Sequence, residues 1–172
     1  MVDSDATAAA VDPAAFRAAL GGFATGVGVM TTVVDDVPHG MTASAVSSVS
    51  LHPSLVLVCV DRQALMADRV VRSEVFALSF LAREQRHVSD RFATPTRGHG
   101  HVEFEGIPWR TETTGSPVLE GVVSWVDCRV WSVADGGDHL IVVGEALALG
   151  STERAPLLYL RGGYGGYLPD EG

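Results

Sequence analysis

The chain has 172 residues, a net charge of −9 and 12 basic residues, all of them arginine. This length favours one domain, and a hydrophobic content of 47% argues against disorder. The acidic balance argues against a nucleic-acid partner, which needs clustered positive charge. Because lysine is absent, Schiff-base chemistry and a P-loop lysine are excluded.

The cysteines and the N-terminal residues indicate a cellular location. Cys59 and Cys128 lie in separate apolar runs without the spacing of metal ligands, as expected for free thiols in a reducing compartment. The N-terminus lacks the basic region of a secretory signal, and no run reaches the ~18 apolar residues of a membrane helix. We expect a cytoplasmic protein with no membrane association.

The sequence predicts a flexible tail over residues 1–11 and a single domain over residues 12–170. Asp12 and Pro13 form a helix-start signal, and the short helix that follows should end at Gly21 and Gly22. The apolar period then changes to two. This pattern predicts three strands separated by turns, which cover residues 27–34, 40–50 and 55–60, with the first turn at 35–40.

The second half predicts two further helices and three or more strands. The helices cover residues 63–73 and 83–93, with a strand at 75–80 between them and a long loop over 94–117 after them. Two long strands at 122–131 and 139–149 are joined by a glycine-containing loop, and a short strand and a Gly/Tyr loop close the chain. About seven strands and three short helices indicate a mainly β protein, a barrel or sandwich with peripheral helices.

Five hydroxyl residues lie between Thr42 and Ser50, with no charged residue among them. Strand alternation over residues 41–51 places Met41 and the alanines on one face and most hydroxyls on the other. Either this hydroxyl face packs on protein, with each hydroxyl paired, or it meets a planar or phosphorylated ligand. The ligand would not be held by a dinucleotide-binding glycine loop, because "GVGVMT" at 26–31 lacks the third glycine and lies in a strand.

Several blocks of the sequence resemble the flavin reductase family. They occur in the family's order over residues 14–168 and include "FATGVGVMTT", "PHGMTASAVSSVSLHPSLVLVCVDR", "FALSFLAREQ", "SDRFA", "GSPVLEGVVSWVDCRVW", "GDHLIVVGEA" and "PLLYLRGGYG". The family comprises the reductase partners of two-component flavin-dependent monooxygenases, in the FMN-binding split-barrel superfamily. The resemblance implies a homodimeric Greek-key split β-barrel of six to seven strands with about three short peripheral helices.

The resemblance also implies an activity. The protein would reduce FMN or FAD by hydride transfer from NADH or NADPH and release the reduced flavin to a partner monooxygenase. Such a cofactor carries the chemistry itself, while the protein binds and orients it. Two alternatives stay open: a split-barrel oxidase or oxygenase that retains its flavin, and a non-catalytic flavin-binding protein.

Family positions carried over to this sequence give a candidate site. The predicted flavin contacts come from two segments: Met41, Thr42, Ala43, Ser44 and Ala45 in the first, and Cys59, Val60, Asp61 and Arg62 in the second. His139 matches a histidine near the nicotinamide, and Arg161, Gly162 and Tyr164 match a segment that approaches the pyridine nucleotide. From the residues alone, His139 could instead cap a hairpin loop, and the C-terminal segment could be a tight turn.

The sequence departs from the family after Arg62. Many members carry a Ser/Thr cluster there for the flavin phosphate, whereas this chain has Gln63, Ala64, Leu65 and Met66. The phosphate would then be held by Arg62, by Ser48 or Ser50, or by N–H groups at the start of the helix near Gln63. His99 and His101 are close in sequence, but two histidines in a loop are too few for a zinc site, and we expect no metal.

Overall fold

A computed structural model describes residues 10–168 of the chain. Residues 1–9 of the tail predicted over 1–11 lie outside this range, as do the last two residues of the predicted domain. The helices are α1 (Pro13–Leu20), α2 (Leu65–Ser73) and α3 (Arg86–Ala93), with 3-10 turns at Arg83–Gln85 and Gly100–Phe104. The strands are β1 (Thr25–Gly26), β2 (Gly28–Val34), β3 (Val37–Ala43), β4 (Val46–Leu51), β5 (Ser54–Asp61), β6 (Val75–Phe80), β7 (Trp109–Thr111), β8 (Pro117–Leu119), β9 (Ser124–Gly136), β10 (His139–Ser151), β11 (Leu157–Leu160) and β12 (Gly163–Gly166).

Seven of the strands form one antiparallel sheet in the order β3-β2-β6-β9-β10-β5-β4. Its two outermost strands, β3 and β4, are consecutive in the chain and are separated only by Ser44 and Ala45. The sheet must therefore curl so that its two edges meet, as in a barrel. The N–H of Cys59 on β5 donates to the carbonyl of Ala45 at 2.9 Å and holds this junction. A three-stranded sheet, β1-β11-β12, and the pair β7-β8 lie outside the barrel.

The first helix forms as the local sequence predicts. A side-chain oxygen of Asp12 accepts from the N–H of Ala15 at 3.0 Å, Pro13 occupies the first turn, and the helix ends at Gly21. These contacts satisfy groups that a helix end would otherwise leave unpaired.

The strand predicted at 40–50 is wrong as a single element. The structure starts β3 at Val37, because Asp35 and Asp36 turn the chain with φ of 52° and 61°, and it interrupts the strand at Ser44 and Ala45. The alternation deduced for residues 41–51 therefore does not continue across the interruption. The physical reason is the topology, since the chain leaves one edge of the sheet here and joins the other.

Two predicted loops contain more regular structure than expected. The β9–β10 connection needs only Gly137, at φ 80°, and Asp138, so β9 continues to Gly136 instead of ending near 131. The loop over 94–117 includes a 3-10 turn and β7, and β8 begins at its last residue.

The apolar core has two parts. The barrel core includes Met30, Val58, Phe76, Leu78 and Val142, and α2 covers it with Met66, Ala67 and Val70. A second cluster packs α3 and the following loop against the outside of the sheet, with members Val27, Val29, Leu81, Val88, Phe92, Phe104, Ile107, Leu119, Val122 and Leu157. Within residues 10–168, no helix is both long enough and apolar enough to cross a membrane.

Gly40 on β3 sets the distance between the sheet and α3. A Cβ atom at this position would lie 2.5 Å from Cε1 of Phe92, far inside van der Waals contact. The absence of a side chain therefore allows the Phe92 ring to lie directly on the strand. This close approach places α3 beside the residues that precede the β3–β4 junction.

Candidate functional site

A cleft of about 750 Å³ opens beside the β3–β4 junction. Six segments contribute to it: Val27 between β1 and β2, β3 with Ser44, the end of β5 with the start of α2, α3, the loop after α3, and the β11–β12 hairpin. The lining residues are Val27, His39, Met41, Thr42, Ser44, Asp61, Gln63, Ala64, Leu65, Ser89, Phe92, Ala93, Pro95, Arg97, His99, Tyr159 and Tyr164. Its volume lies in the range of small-molecule and cofactor sites.

The β3 wall of the cleft uses its hydroxyls in two ways. The Thr42 hydroxyl donates to the Ser89 carbonyl at 2.7 Å, so this side chain is already paired with protein. Ser44 is exposed and lines the cleft, so its hydroxyl is available to a ligand. Packing on protein therefore describes Thr42, whereas contact with a ligand stays a prediction for Ser44.

An aromatic pair forms the wall contributed by the C-terminal hairpin. The rings of Tyr159 and Tyr164 meet edge to face with centroids 5.4 Å apart, and the Tyr164 hydroxyl lies 2.9 Å from the Ser89 hydroxyl. The Arg86 guanidinium lies 5.0 Å from the Tyr164 ring centroid. These contacts fix the orientation of Tyr164, so the cleft presents an ordered aromatic surface.

The N-terminal end of α2 forms a third part of the wall. Gln63, Ala64 and Leu65 line the cleft here, and no side chain caps the helix at Ala64. The first N–H groups of a helix lack partners within the helix and carry a partial positive charge. This end of α2 therefore adds a weak preference for negative charge.

A buried carboxylate stands behind the wall formed by β3 and the loop after α3. Glu103 has no exposed surface. One of its oxygens accepts from His39 Nδ1 at 2.7 Å and from the Gly100 N–H at 3.1 Å. The other accepts from the Gly40 N–H at 3.0 Å and lies 3.4 Å from Arg97 Nε.

These partners determine the charge of Glu103. Burial acts to raise its pKa, but the hydrogen bonds from His39 and Gly40 and the charge of Arg97 outweigh burial and hold the pKa below the usual value for glutamate. The carboxylate is therefore ionised at neutral pH. A buried charge of this kind is tolerated only when it is paired and hydrogen-bonded.

His39, His99 and Glu103 place one potential ligand atom each within 4.8 Å of one another. Glu103 is nevertheless an unfavourable metal ligand, because each of its oxygens already has two donors nearby, including a guanidinium. A divalent cation would have to displace Arg97, which carries the same sign of charge. That the protein binds no metal stays a prediction, and the hydrogen-bond donors already around Glu103 favour it.

The cleft is suited to binding and orienting a ligand. Its aromatic pair, short side chains and uncharged donors fit a planar ring system, and its size fits a flavin. Cys128 cannot provide a nucleophile, because burial and the neighbouring Asp127 raise the pKa of its thiol to about 12 and keep it protonated.

A sequence model described as the flavin reductase like domain matches residues 20–167. The chain belongs to the flavin reductase family. This membership confirms the predicted fold class and the predicted oxidoreductase that uses flavin and a nicotinamide nucleotide. The reductase is 39% identical over 166 residues to the flavin-dependent monooxygenase reductase subunit HsaB of Mycobacterium tuberculosis, which covers 95% of this chain and 87% of that protein.

Solved structures agree with the sequence comparison. The NADH:FAD oxidoreductase SgcE6 of Streptomyces globisporus, in complex with NAD and FAD fragments, matches with a TM-score of 0.87 and 34% identity, covering 96% of the reductase and 100% of that chain. BorF, the flavin reductase component of a bacterial two-component tryptophan halogenase, matches with a TM-score of 0.86 and 38% identity, covering 93% and 100%.

Five of the predicted flavin- and nucleotide-binding residues line the cleft of the reductase: Met41, Thr42, Ser44, Asp61 and Tyr164. The remaining predicted binding residues do not line the cleft. The side chains of Ala43 and Val60 are buried in the barrel core, so they could contact a ligand only through the backbone. Ala45 and Cys59 are joined to each other by the hydrogen bond at the junction, and Ser48 and Ser50 lie on β4, outside the cleft lining.

Three other predicted residues lie outside the cleft lining, and the side chains of two of them, Arg62 and His139, have partners within the reductase. Arg62 bonds the Gly137 carbonyl at 2.8 Å and pairs with Asp135 at 3.0 Å. His139 Nδ1 lies 2.7 Å from an Asp138 oxygen, and its backbone pairs with that of Asp61, which lines the cleft. Arg161 lies at the turn between β11 and β12 with φ 50° and lines a separate shallow concavity beside α1.

The sequence analysis missed residues that reach the cleft only through the fold. Ser89, Phe92 and Tyr159 belong to elements that were predicted but given no binding role, while His39 and Arg97 were not singled out. His99 was considered only as a metal ligand. A buried glutamate also went unnoticed, although "VEFEGI" places Glu103 at an apolar-flanked position that could have suggested burial.

Proposed function

We propose that this cleft is where the reductase transfers hydride from NADH or NADPH to FMN or FAD. The observation that carries the proposal is a cofactor-sized cleft at the barrel junction, with an ordered tyrosine pair on one side and Ser44 exposed on another. The chain's residues bind the two rings and hold them in contact, which favours transfer by proximity and orientation. Flavin and nicotinamide supply the redox chemistry themselves.

We further propose that the reduced flavin is delivered to a monooxygenase and that the reductase works as a cytoplasmic homodimer. The monooxygenase partner is supported by relatives such as HsaB, named as a reductase subunit of a flavin-dependent monooxygenase. The dimer is supported by exposed apolar side chains on strands of the barrel, including Leu51 on β4, which is 76% exposed, and Leu149 on β10, which is 67% exposed. The two free cysteines suit a reducing compartment.

The reductase proposal is tested by an anaerobic absorbance titration. Protein mixed with FMN or FAD should lose the visible absorbance of the oxidised flavin only when NADH or NADPH is added. Aerobically, NADH oxidation should require added flavin. Flavin that stays bound through purification and turns over without exchange would instead favour the oxidase or oxygenase alternative. Binding without any reduction would favour a non-catalytic flavin-binding protein.

His139→Ala tests the proposed nicotinamide contact. His139 lies beside Asp61 at the cleft margin and is held by Asp138, so loss of one polar contact should raise the apparent KM for NADH about fivefold, with flavin affinity unchanged. His87→Ala, an exposed histidine on α3 outside the cleft lining, is the matched control. Equal KM values for the two variants would remove His139 from the site.

A further inference from the structure

The cleft concentrates potential positive charge in an acidic protein. His39, Arg97 and His99 all line the same wall, whereas Asp61 is the single acidic residue among the lining residues of the described chain. The whole chain carries a net charge of −9. The ionised Glu103 behind this wall balances the charge of Arg97, so what the wall offers an anionic ligand group is a set of directed N–H donors.

Glu103 determines how His39 meets the cleft. An ionised carboxylate only accepts hydrogen bonds, so the 2.7 Å contact requires the proton to lie on His39 Nδ1. The side chain of His39 is 3% exposed, and within residues 10–168 its Nε2 makes no hydrogen bond. Among the described residues, Nε2 of His39 is not one of the buried side-chain nitrogens and oxygens that lack a partner, so this nitrogen reaches the cleft and can meet a ligand or water there.

The other two side chains add hydrogen-bond donors around this nitrogen. Arg97 is held by Glu103, by the Thr94 carbonyl at 2.9 Å and by the Gly40 carbonyl. These bonds fix the guanidinium in place, and its terminal nitrogens have further N–H groups to donate. His99 is more mobile in principle, because its side chain is 61% exposed, and its Nδ1 lies 3.6 Å from Glu103.

We propose that His39, Arg97 and His99 form the subsite for a phosphate group of the bound nucleotide, with Glu103 as the residue that positions His39 and Arg97. The proposal rests on the proposed function of the cleft. Phosphate suits this wall because it accepts several charge-assisted hydrogen bonds at once. His39 would donate from Nε2 as an imidazolium, because a neutral ring with its proton on Nδ1 can only accept at Nε2. The side chains considered earlier for this role are less suited, since Arg62 is engaged by Asp135 and Gly137 and Ser48 and Ser50 lie outside the cleft lining.

The phosphate could belong to the flavin or to the nicotinamide nucleotide, and paired ligands distinguish them. Affinities for FMN and for riboflavin, which lacks the phosphate, are measured by flavin fluorescence titration without any hydride donor. In parallel, reduced nicotinamide mononucleotide is compared with dihydronicotinamide riboside, the same donor without its phosphate, using riboflavin as the acceptor. Each pair isolates the phosphate contribution of one ligand.

His39→Gln should weaken binding of the phosphate-bearing ligand about tenfold, as expected for one hydrogen bond to a charged group, and leave its phosphate-free counterpart unchanged. His99→Ala should reduce the same preference by about threefold, because the contact is exposed. The matched control is His101→Ala, an exposed histidine two residues away that does not line the cleft. It should behave as wild type.

The phosphate subsite is overturned if neither ligand pair shows a changed preference in His39→Gln. Circular dichroism checks that this variant folds; if it does not, His99→Ala against His101→Ala decides the question, and equal preferences overturn the subsite. The proposed reductase activity and the proposed phosphate subsite can be disproved independently of each other. Reduction of riboflavin by the wild-type protein tests the reductase, whereas the fluorescence titrations test phosphate recognition even if no reduction occurs.

Discussion

Replacing Glu103 with alanine is expected to lower the free energy of unfolding by about 3–5 kcal/mol, the usual cost of removing one partner from a buried ion pair. The change leaves the Arg97 side chain, which is 11% exposed, without its counter-charge. It also removes the acceptor for His39 Nδ1 and for the N–H groups of Gly40 and Gly100. Urea unfolding followed by circular dichroism measures the loss.

Glu105→Ala provides the matched control, because this glutamate is two residues away and exposed. It should change stability by no more than about 0.5 kcal/mol. If Glu103→Ala were as stable as Glu105→Ala, the buried network would not contribute to the stability of the fold.

Acid should remove the contribution of Glu103. Its pKa in the folded protein lies below the usual value for glutamate, so ionised Glu103 stabilises the fold fully at pH values above the unfolded pKa of about 4.3. The contribution decreases as the pH falls through the lower, folded pKa. The stability difference between the wild type and Glu103→Gln should therefore be largest near neutral pH and shrink below about pH 4.

Gly144→Ala is expected to destabilise the barrel by about 2–3 kcal/mol through overpacking. A Cβ atom at Gly144 would lie 2.3 Å from Cζ of Phe76 and 2.9 Å from Cβ of Cys128. Both neighbours are fully buried, so neither can move aside without disturbing the core. For a chain of this size, each kcal/mol lost from the free energy of unfolding lowers Tm by about 2–4 °C, so Tm should fall by roughly 4–12 °C.

Gly165→Ala is the matched control, because it adds the same methyl group at a position with no close neighbouring atom. Nothing lies within 4 Å of a Cβ atom at Gly165, and its φ is not in the left-handed region. This variant should melt close to the wild-type temperature in the same scanning calorimetry experiment. Indistinguishable Tm values for the two variants would show that the Phe76 ring can move from Gly144 at little cost.

Sequence patterns predicted an element correctly where the contacts that form it join residues close together in the chain. The α1 helix follows from Asp12 and Pro13 because the cap bonds a residue three positions away. The helix predicted at 63–73 appears as α2 over Leu65–Ser73, since its buried face repeats at helical spacing. Strand alternation failed at Ser44 and Ala45 because only the pairing of distant strands determines where the chain changes edges.

The candidate site was predictable only in part for the same reason. The resemblance pointed to Thr42, Ser44 and Asp61, which lie in two short segments on neighbouring parts of the barrel and reach the cleft. The Glu103–His39 pair spans 64 positions in the chain, and neither residue has a pattern that specifies the other. Only packing of the loop after α3 against β3 brings them together.

The division of the cleft among six segments has a consequence for fragments of this chain. Its lining begins at Val27 and ends at Tyr164, so no substantially shorter piece contains every wall. Recognition of the ligand is therefore an all-or-none property that emerges with the last segment to dock. A split or internally deleted version should lose the binding surface outright instead of keeping a proportionate share of it.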